Sequence, residues 1–352
     1  MRKDDNATVS GSIAFPGAPA AGPPHRERGA PPDETSRRVA WQGTLLAGLG
    51  VLAFSGTLPA TVFAVRGVDP YLVAFGRAAV AALAALICLL AVRLFRREAP
   101  PPLLPPREHW PSYAAVSVGV VFGFPLFSSL ALDTGASSAH SAVVIGLLPA
   151  ATAVCAVLRA GERPRPLFWA ACAAGATCIT VFALSQGGGR MTPADLLLLA
   201  ALLLAAVGYT EGGRLARHTP GWRVISYALL LSTPVSVPLA AVLAVTTSVQ
   251  PGAAAFGGFA YVSLVSMFLG FFPWYAGLAR GGIARAGQTQ LFQPLLTFVW
   301  SWLLLAEEMT VVTFVAALAV LACVAVSQRT RSASAGAVRV PDAVSAPGTR
   351  GG

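Results

Sequence analysis

The chain has 352 residues, of which 55% are apolar and only 11% are charged, and its mean hydropathy is +0.66. Soluble domains carry about 25% charged residues, so this chain has too few polar side chains to cover a water-facing surface. The composition excludes an ordinary soluble domain and predicts a polytopic membrane protein. The net charge of +10 is spread over the ends of apolar runs, so we expect a lipid bilayer as partner and no nucleic acid.

The two ends of the chain differ from the rest. Residues 1–40 contain several prolines and six basic residues but no apolar core. They are predicted to be a disordered cytoplasmic tail rather than a signal peptide, and residues 328–352 are predicted to be a second such tail.

Between the tails lie ten apolar runs, each about long enough to cross the ~30 Å hydrocarbon layer of a membrane. Because a backbone in lipid must satisfy its own hydrogen bonds, these runs predict ten transmembrane helices and an all-α integral membrane fold. In chain order the runs are Trp41–Val65, Tyr71–Val92, Pro111–Leu132, Ser138–Leu158, Leu167–Leu184, Ala194–Arg214, Val224–Val245, Phe256–Leu278, Gly287–Ala306 and Val311–Val326.

Basic residues set the predicted orientation. With the N-terminus in the cytoplasm, 22 of the 25 Lys and Arg residues fall in inside segments, and the outside loops hold only Arg66 and Arg190. Cytoplasmic loops carry the excess of Lys and Arg, so we expect both termini in the cytoplasm and the protein in the plasma membrane.

One sequence pattern occurs twice in the chain. Pro149 and Glu162 recur as Pro294 and Glu307, 145 positions later, each pair on an apolar helix that follows a turn of small residues. This offset predicts two five-helix repeats, at 41–185 and 194–327. Five is odd, so the second repeat enters the membrane from the opposite side and the two are inverted.

The opening Trp41-Gln42-Gly43, the Phe75-Gly76-Arg77 of the second run and the two copies of the repeated stretch resemble the drug/metabolite transporter superfamily, in its ten-helix EamA-type members. The likeness covers about residues 41–328. It implies a secondary carrier, often an exporter of amino acids, other metabolites or toxic compounds.

Ionisable residues inside the membrane are the first candidates for a site. Arg77 would bind a carboxylate or phosphate of the solute if it faces a central cavity. The alternative is that it extends to the outer interface or caps carbonyls there. His140, at the outer start of the fourth helix, would titrate near neutral pH in a solute site, or else make a local hydrogen bond.

Three further groups of residues are candidates. Gln290 and Gln293 share one face of the ninth helix, where their amides would either line a polar cavity or join helices. Glu211 would couple transport to protons, or pair with Arg214 three residues on. Pro149 and Pro294 are predicted hinges because proline bends a helix and frees a carbonyl.

Other features predict structure rather than chemistry. Trp274 and Tyr275 are expected in the interfacial aromatic belt. The five cysteines lie in apolar runs without metal-binding spacing, and no phosphate-binding loop is present, so we expect packing cysteines, no metal, no cofactor and no catalytic residue.

The sequence thus predicts a secondary transporter, with export the favoured direction, of a small organic metabolite or drug-like solute. Its energy would come from protons or from the solute's own gradient. The alternatives are a membrane-embedded enzyme acting on a lipid-linked substrate, and a non-transporting membrane receptor or subunit. One chain would suffice for the complete fold, and a homodimer is the other expectation.

Overall fold

The computed structural model describes residues 34–95, 101–160, 165–250, 252–281, 289–308 and 310–337. All regular secondary structure in these ranges is helical. Eight helices there are long and apolar enough to cross a membrane, and two shorter apolar helices follow them. The prediction of an all-α integral membrane fold with ten transmembrane helices is confirmed.

We number the ten helices in chain order. They are α1 (Trp41–Val65), α2 (Pro70–Phe95), α3 (Arg107–Asp133), α4 (Ser138–Arg159), α5 (Pro166–Gln186), α6 (Pro193–Leu215), α7 (Gly221–Thr246), α8 (Ala253–Gly277), α9 (Phe292–Leu305) and α10 (Val311–Ser327). The helical backbone of α1 begins earlier, at Glu34, and that of α10 continues to Ala337. Both predicted tails are therefore helical where they join the membrane helices.

The helix contacts are those of two equivalent halves. α1 packs on α8 as α6 packs on α3, and the pairs α2–α7, α4–α9 and α5–α10 each join equivalent helices of the two halves. Glycine permits close contact between these helices: a Cβ added at Gly50 of α1 would lie 2.8 Å from the Cα of Trp274 on α8. The two inverted repeats are confirmed.

Irregular turns recur at the same spacing as the sequence repeat. α4 is interrupted at Gly146 and Leu147, and a turn at Leu291 precedes α9, 145 positions after Gly146. In the third helix of each half, a wider π-helical segment interrupts the α-helix, Ser117–Gly123 in α3 and Tyr261–Leu269 in α8. π-helical turns frequently occur at functional sites, so these two segments indicate where a site would lie.

Side chains sort by environment as a bilayer requires. Large apolar residues are exposed along the helix surfaces, where they would meet lipid. Examples are Leu45, Leu83, Ile87, Val118, Leu203, Val242, Trp302 and Val315. Trp274 and Tyr275 are 4% and 1% exposed, so the prediction of an aromatic belt at these residues is wrong. Their rings lie in the core because Gly50 and Gly221 present no side chain against them.

We name the two ends of the helix bundle by their residues. The N-face holds the start of α1 and the ends of α4 and α6, near Trp41, Arg159 and Leu215. The far face holds the end of α1 and the starts of α4 and α6, near Val65, Ser138 and Pro193.

Candidate functional site

A central cavity lies where the two halves meet. It is small in this structure, with a volume of about 30 Å³, so the side chains leave room in it for roughly one or two water molecules. Its polar lining comes from both halves: Thr57 and Arg77 from the first, Tyr209, Ser266 and Gln293 from the second. Aromatic side chains form much of the remaining wall, namely Phe54, Phe124 and Phe271.

A second, smaller space of about 20 Å³ adjoins the central cavity between α4 and α9. Ile145, Leu148 and Gln293 line both spaces. Gln290 lines the second space and Gln293 lines both, so the two predicted glutamines border adjoining spaces.

Arg77 lies in the protein interior and does not extend to the interface, being only 1% exposed. Its Nη2 donates to the Ser266 Oγ at 3.1 Å, and that hydroxyl lies 2.7 Å from the Thr57 Oγ1. Its Nε and Nη1 have no hydrogen-bond partner in the structure. The described residues also place no carboxylate within 4.0 Å of it, so this guanidinium is a buried charge with free donors.

Pro149 and Pro294 follow the two helix interruptions and line the space between α4 and α9. Proline has no N–H, so neither residue can donate the usual helical bond to the carbonyl four residues earlier, at Ile145 and Gln290. These two residues line the same space. A Cβ added at Gly146 would lie 3.3 Å from the Pro294 Cγ, so the break in α4 packs directly on the proline of α9.

Glu211 lies at the N-face and is 7% exposed. Its Oε1 accepts from the Arg159 Nε at 2.9 Å, and its Oε2 accepts from the Arg214 Nε at 3.1 Å. Arg214 also donates through Nη2 to the Ser112 Oγ at 2.6 Å, so this N-face network joins α3, α4 and α6. The pairing with Arg214 agrees with the spacing in the sequence. Arg159 was not foreseen because it lies 52 residues away on another helix.

His140 lies at the far face, away from Arg77 and the two glutamines. Its Nε2 is 2.7 Å from the Asp195 Oδ1, and its ring stacks on Phe182 with centroids 5.0 Å apart. The other oxygen of Asp195 accepts from the backbone N and the Oγ1 of Thr192 in a capping box that begins α6. His140 and Asp195 line a far-face opening of about 440 Å³.

Glu307 adds a second contact at the far face. α9 ends because Ala306 adopts a left-handed conformation, with φ of 52°, and the chain turns back toward α4. The Glu307 carboxylate then accepts from the backbone N–H groups of Ser138 and Ala139, both at 2.9 Å. A carboxylate stabilises the positive end of a helix, so this contact holds α9 to the start of α4. The equivalent Glu162 lies outside the described residues.

The described part of the chain contains no group of three or more His, Cys, Asp or Glu residues arranged to hold a metal ion. Its five cysteines are free and partly buried, and Cys323 of α10 lies near Cys172 and Cys178 of α5.

Known proteins provide three comparisons. The sequence model of the EamA-like transporter family matches the chain twice, over residues 41–184 and 192–328. A Bacillus subtilis (strain 168) protein described as uncharacterized transporter YdeK is 44% identical over 281 residues, which are 80% of this chain and 95% of that one. A solved structure, titled only as the crystal structure of a protein, has a TM-score of 0.58 at 21% identity, over 83% of this chain and 98% of that one. That last likeness concerns the fold alone.

Proposed function

Because the chain belongs to the EamA-like transporter family, and is therefore a multi-pass membrane transporter, we propose that it is a secondary transporter that moves a small organic solute by alternating access. We assign residues 41–185 to the first repeat and 194–327 to the second. The observation that carries the proposal is the buried, unpaired Arg77 in a cavity lined from both halves. Transporters of this design bind solute at the interface between their repeats.

The solute site comprises Arg77 with Gln290 and Gln293. These side chains supply donors and acceptors along a pathway whose other walls are mostly apolar, which is the usual make-up of a small-molecule site. His140, which the sequence placed in this group, we assign instead to the far-face contacts because it lines a separate opening.

Alternating access requires a closure at each face, and two networks have suitable positions. Glu211 with its two arginines closes the N-face between α4 and α6. His140–Asp195 and Glu307 close the far face. Protonation of Glu211 would weaken both of its arginine bonds, so the same residue would couple proton binding to opening of the N-face.

The prolines at the two helix interruptions are the natural hinges between these closures. At Pro149 and Pro294 the helical hydrogen bonding is already broken, so the segments on either side can reorient at low cost.

We propose that the N-face and both termini are cytoplasmic and that the protein lies in the plasma membrane; the distribution of basic residues supports this orientation. We propose export as the direction, on the strength of the family resemblance. A single chain contains both halves of the cavity, so a monomer is sufficient for transport.

Flux into vesicles tests the proposal. Purified protein would be reconstituted in liposomes without ATP, and a panel of small organic solutes would be measured inside and outside. We expect saturable flux of some solutes, and faster flux when the same solute is preloaded on the other side of the membrane. Arg77→Ala should abolish both the flux and its acceleration. Arg190→Ala is the matched control because Arg190 is exposed in the far-face loop before α6. Correctly folded protein that exchanges no solute would refute the proposal.

A further inference from the structure

The hydrogen bonding of Arg77 leaves an unused binding edge. A guanidinium has five N–H donors, and Ser266 accepts one of them, from Nη2. The three N–H groups on Nε and Nη1 have no partner. Whichever Nη2 hydrogen Ser266 takes, one two-pronged edge stays open, either Nε with Nη2 or Nη1 with Nη2. Such an edge matches the two oxygens of a carboxylate.

The charge of Arg77 is also uncompensated. It is 1% exposed in the middle of a membrane protein, and no described acidic side chain forms an ion pair with it. An unpaired buried charge is strongly destabilising, and such residues in membrane helices mark solute or ion pathways. Ser266 and Thr57 position the guanidinium without neutralising it, because hydroxyl groups carry no charge.

The rest of the cavity defines the other properties of the ligand. Arg77 is the only Asp, Glu, His, Lys or Arg side chain lining the described central cavity, so one negative charge gives a neutral complex. The surrounding wall is apolar and aromatic, with Phe54 and Phe271 in contact at a centroid distance of 4.8 Å. A dianion would leave an excess negative charge in this setting, whereas the apolar body of an organic monoanion could pack against Phe54, Phe124 and Phe271.

We propose that the transported solute is an organic monoanion, a carboxylate on an apolar or aromatic body, and that its carboxylate pairs with the open edge of Arg77. This inference rests on the proposed transport function and adds the solute class to it. Thr57 and Ser266 are positioning residues, and Arg77 is the residue that touches the solute.

Binding to the detergent-solubilised full chain tests the class of solute directly. The ligands are matched in shape and differ in charge: 3-phenylpropanoate, its amide, the corresponding amine and the corresponding dianionic phosphonate. We expect the carboxylate to raise the melting temperature and to bind at least about 10-fold more tightly than the amide, as the loss of charged hydrogen bonds implies. Vesicles of phosphatidylglycerol and of phosphatidylcholine provide the comparison with a lipid anion.

Amino-acid substitutions distinguish a role of Arg77 in solute binding from a structural role. Arg77→Gln removes an unpaired buried charge, so we expect the ligand-free protein to melt at the same or a higher temperature while carboxylate affinity falls about 10- to 100-fold. Ser266→Ala should weaken carboxylate binding less than Arg77→Gln, and Arg190→Ala should leave it unchanged. Lower stability of ligand-free Arg77→Gln, with carboxylate affinity unchanged, would show Arg77 to be structural and overturn the proposal.

Other outcomes are equally decisive. Equal or tighter binding of the amide or the amine would overturn the monoanion assignment, as would stabilisation by phosphatidylglycerol alone. If flux experiments in the same preparation show saturable exchange of neutral or cationic solutes only, the transport function stands and this inference fails. Absence of exchange for every solute, despite carboxylate binding at Arg77, would instead contradict the transport function.

Discussion

Replacing Glu211 by glutamine should loosen the N-face without affecting the far face. Glutamine keeps the shape of the side chain but carries no charge, and its NH2 group would face an arginine donor. Glu211 is largely buried, whereas the Arg159 and Arg214 side chains are 61% and 49% exposed. Exposed ion pairs contribute ~0.2–1 kcal/mol and hydrogen bonds to charged groups ~1.5–3 kcal/mol, so we take about 1–2 kcal/mol for losing this network.

A change of about 1–2 kcal/mol corresponds to a roughly 5- to 30-fold shift in an equilibrium. Hydrogen exchange followed by mass spectrometry would detect it as faster exchange at the N-face ends of α4 and α6, in residues 150–160 and 206–215. Exchange at the start of α4, in residues 138–145, should stay as in the unmodified protein. Arg217→Ala is the matched control, since Arg217 is exposed at the same face and forms no ion pair among the described residues.

The outcome of the Glu211→Gln experiment decides two questions. Unchanged exchange at the N-face would refute the view that this network closes it. Transport driven by a pH gradient should disappear in Glu211→Gln while exchange of solute across the membrane continues. If pH-driven transport stays at full strength, Glu211 does not carry the coupling proton.

Four further substitutions test other parts of the site. Pro149→Ala and Pro294→Ala each restore a backbone N–H that can donate a helical hydrogen bond. We therefore expect slower solute exchange, with solute affinity changed less than about threefold. An equal loss of exchange rate and of affinity would argue against a hinge role for these prolines. Glu307→Gln should accelerate hydrogen exchange at the start of α4 and lower the melting temperature by a few degrees, the ~1 kcal/mol of a lost helix cap. His140→Ala removes the contact with Asp195, so hydrogen exchange at the start of α6 should become faster; unchanged exchange there would exclude this contact as part of the far-face closure.

The sequence predicted the architecture well because hydropathy, charge and the 145-residue offset are properties of the chain itself. The interruption at Gly146 and the turn at Leu291 keep that offset in the structure. Contacts between distant segments could not be predicted from the sequence. Glu211 pairs with Arg159 on another helix, and the Glu307 carboxylate binds the start of α4, 168 and 169 positions away.

The aromatic pair shows why one prediction was wrong. Arg280 follows Trp274 and Tyr275 closely in the sequence, which favoured an interfacial position. Burial of these rings depends instead on glycines of two other helices, Gly50 and Gly221, which leave space for them. Similarly, Arg77 is placed beside a cavity by residues of α1 and α8, and the pattern of its own helix contains no sign of that arrangement.

The π-helical segments of α3 and α8 have a practical consequence for anyone who labels or mutates these helices. An α-helix turns by about 100° per residue, and a π-helical turn accommodates an additional residue. A helical wheel drawn through Ser117–Gly123 or Tyr261–Leu269 therefore loses its phase there. Positions chosen as lipid-facing on one side of the segment would, on the other side, point about 100° away, so probe sites on the two halves of each helix must be chosen separately.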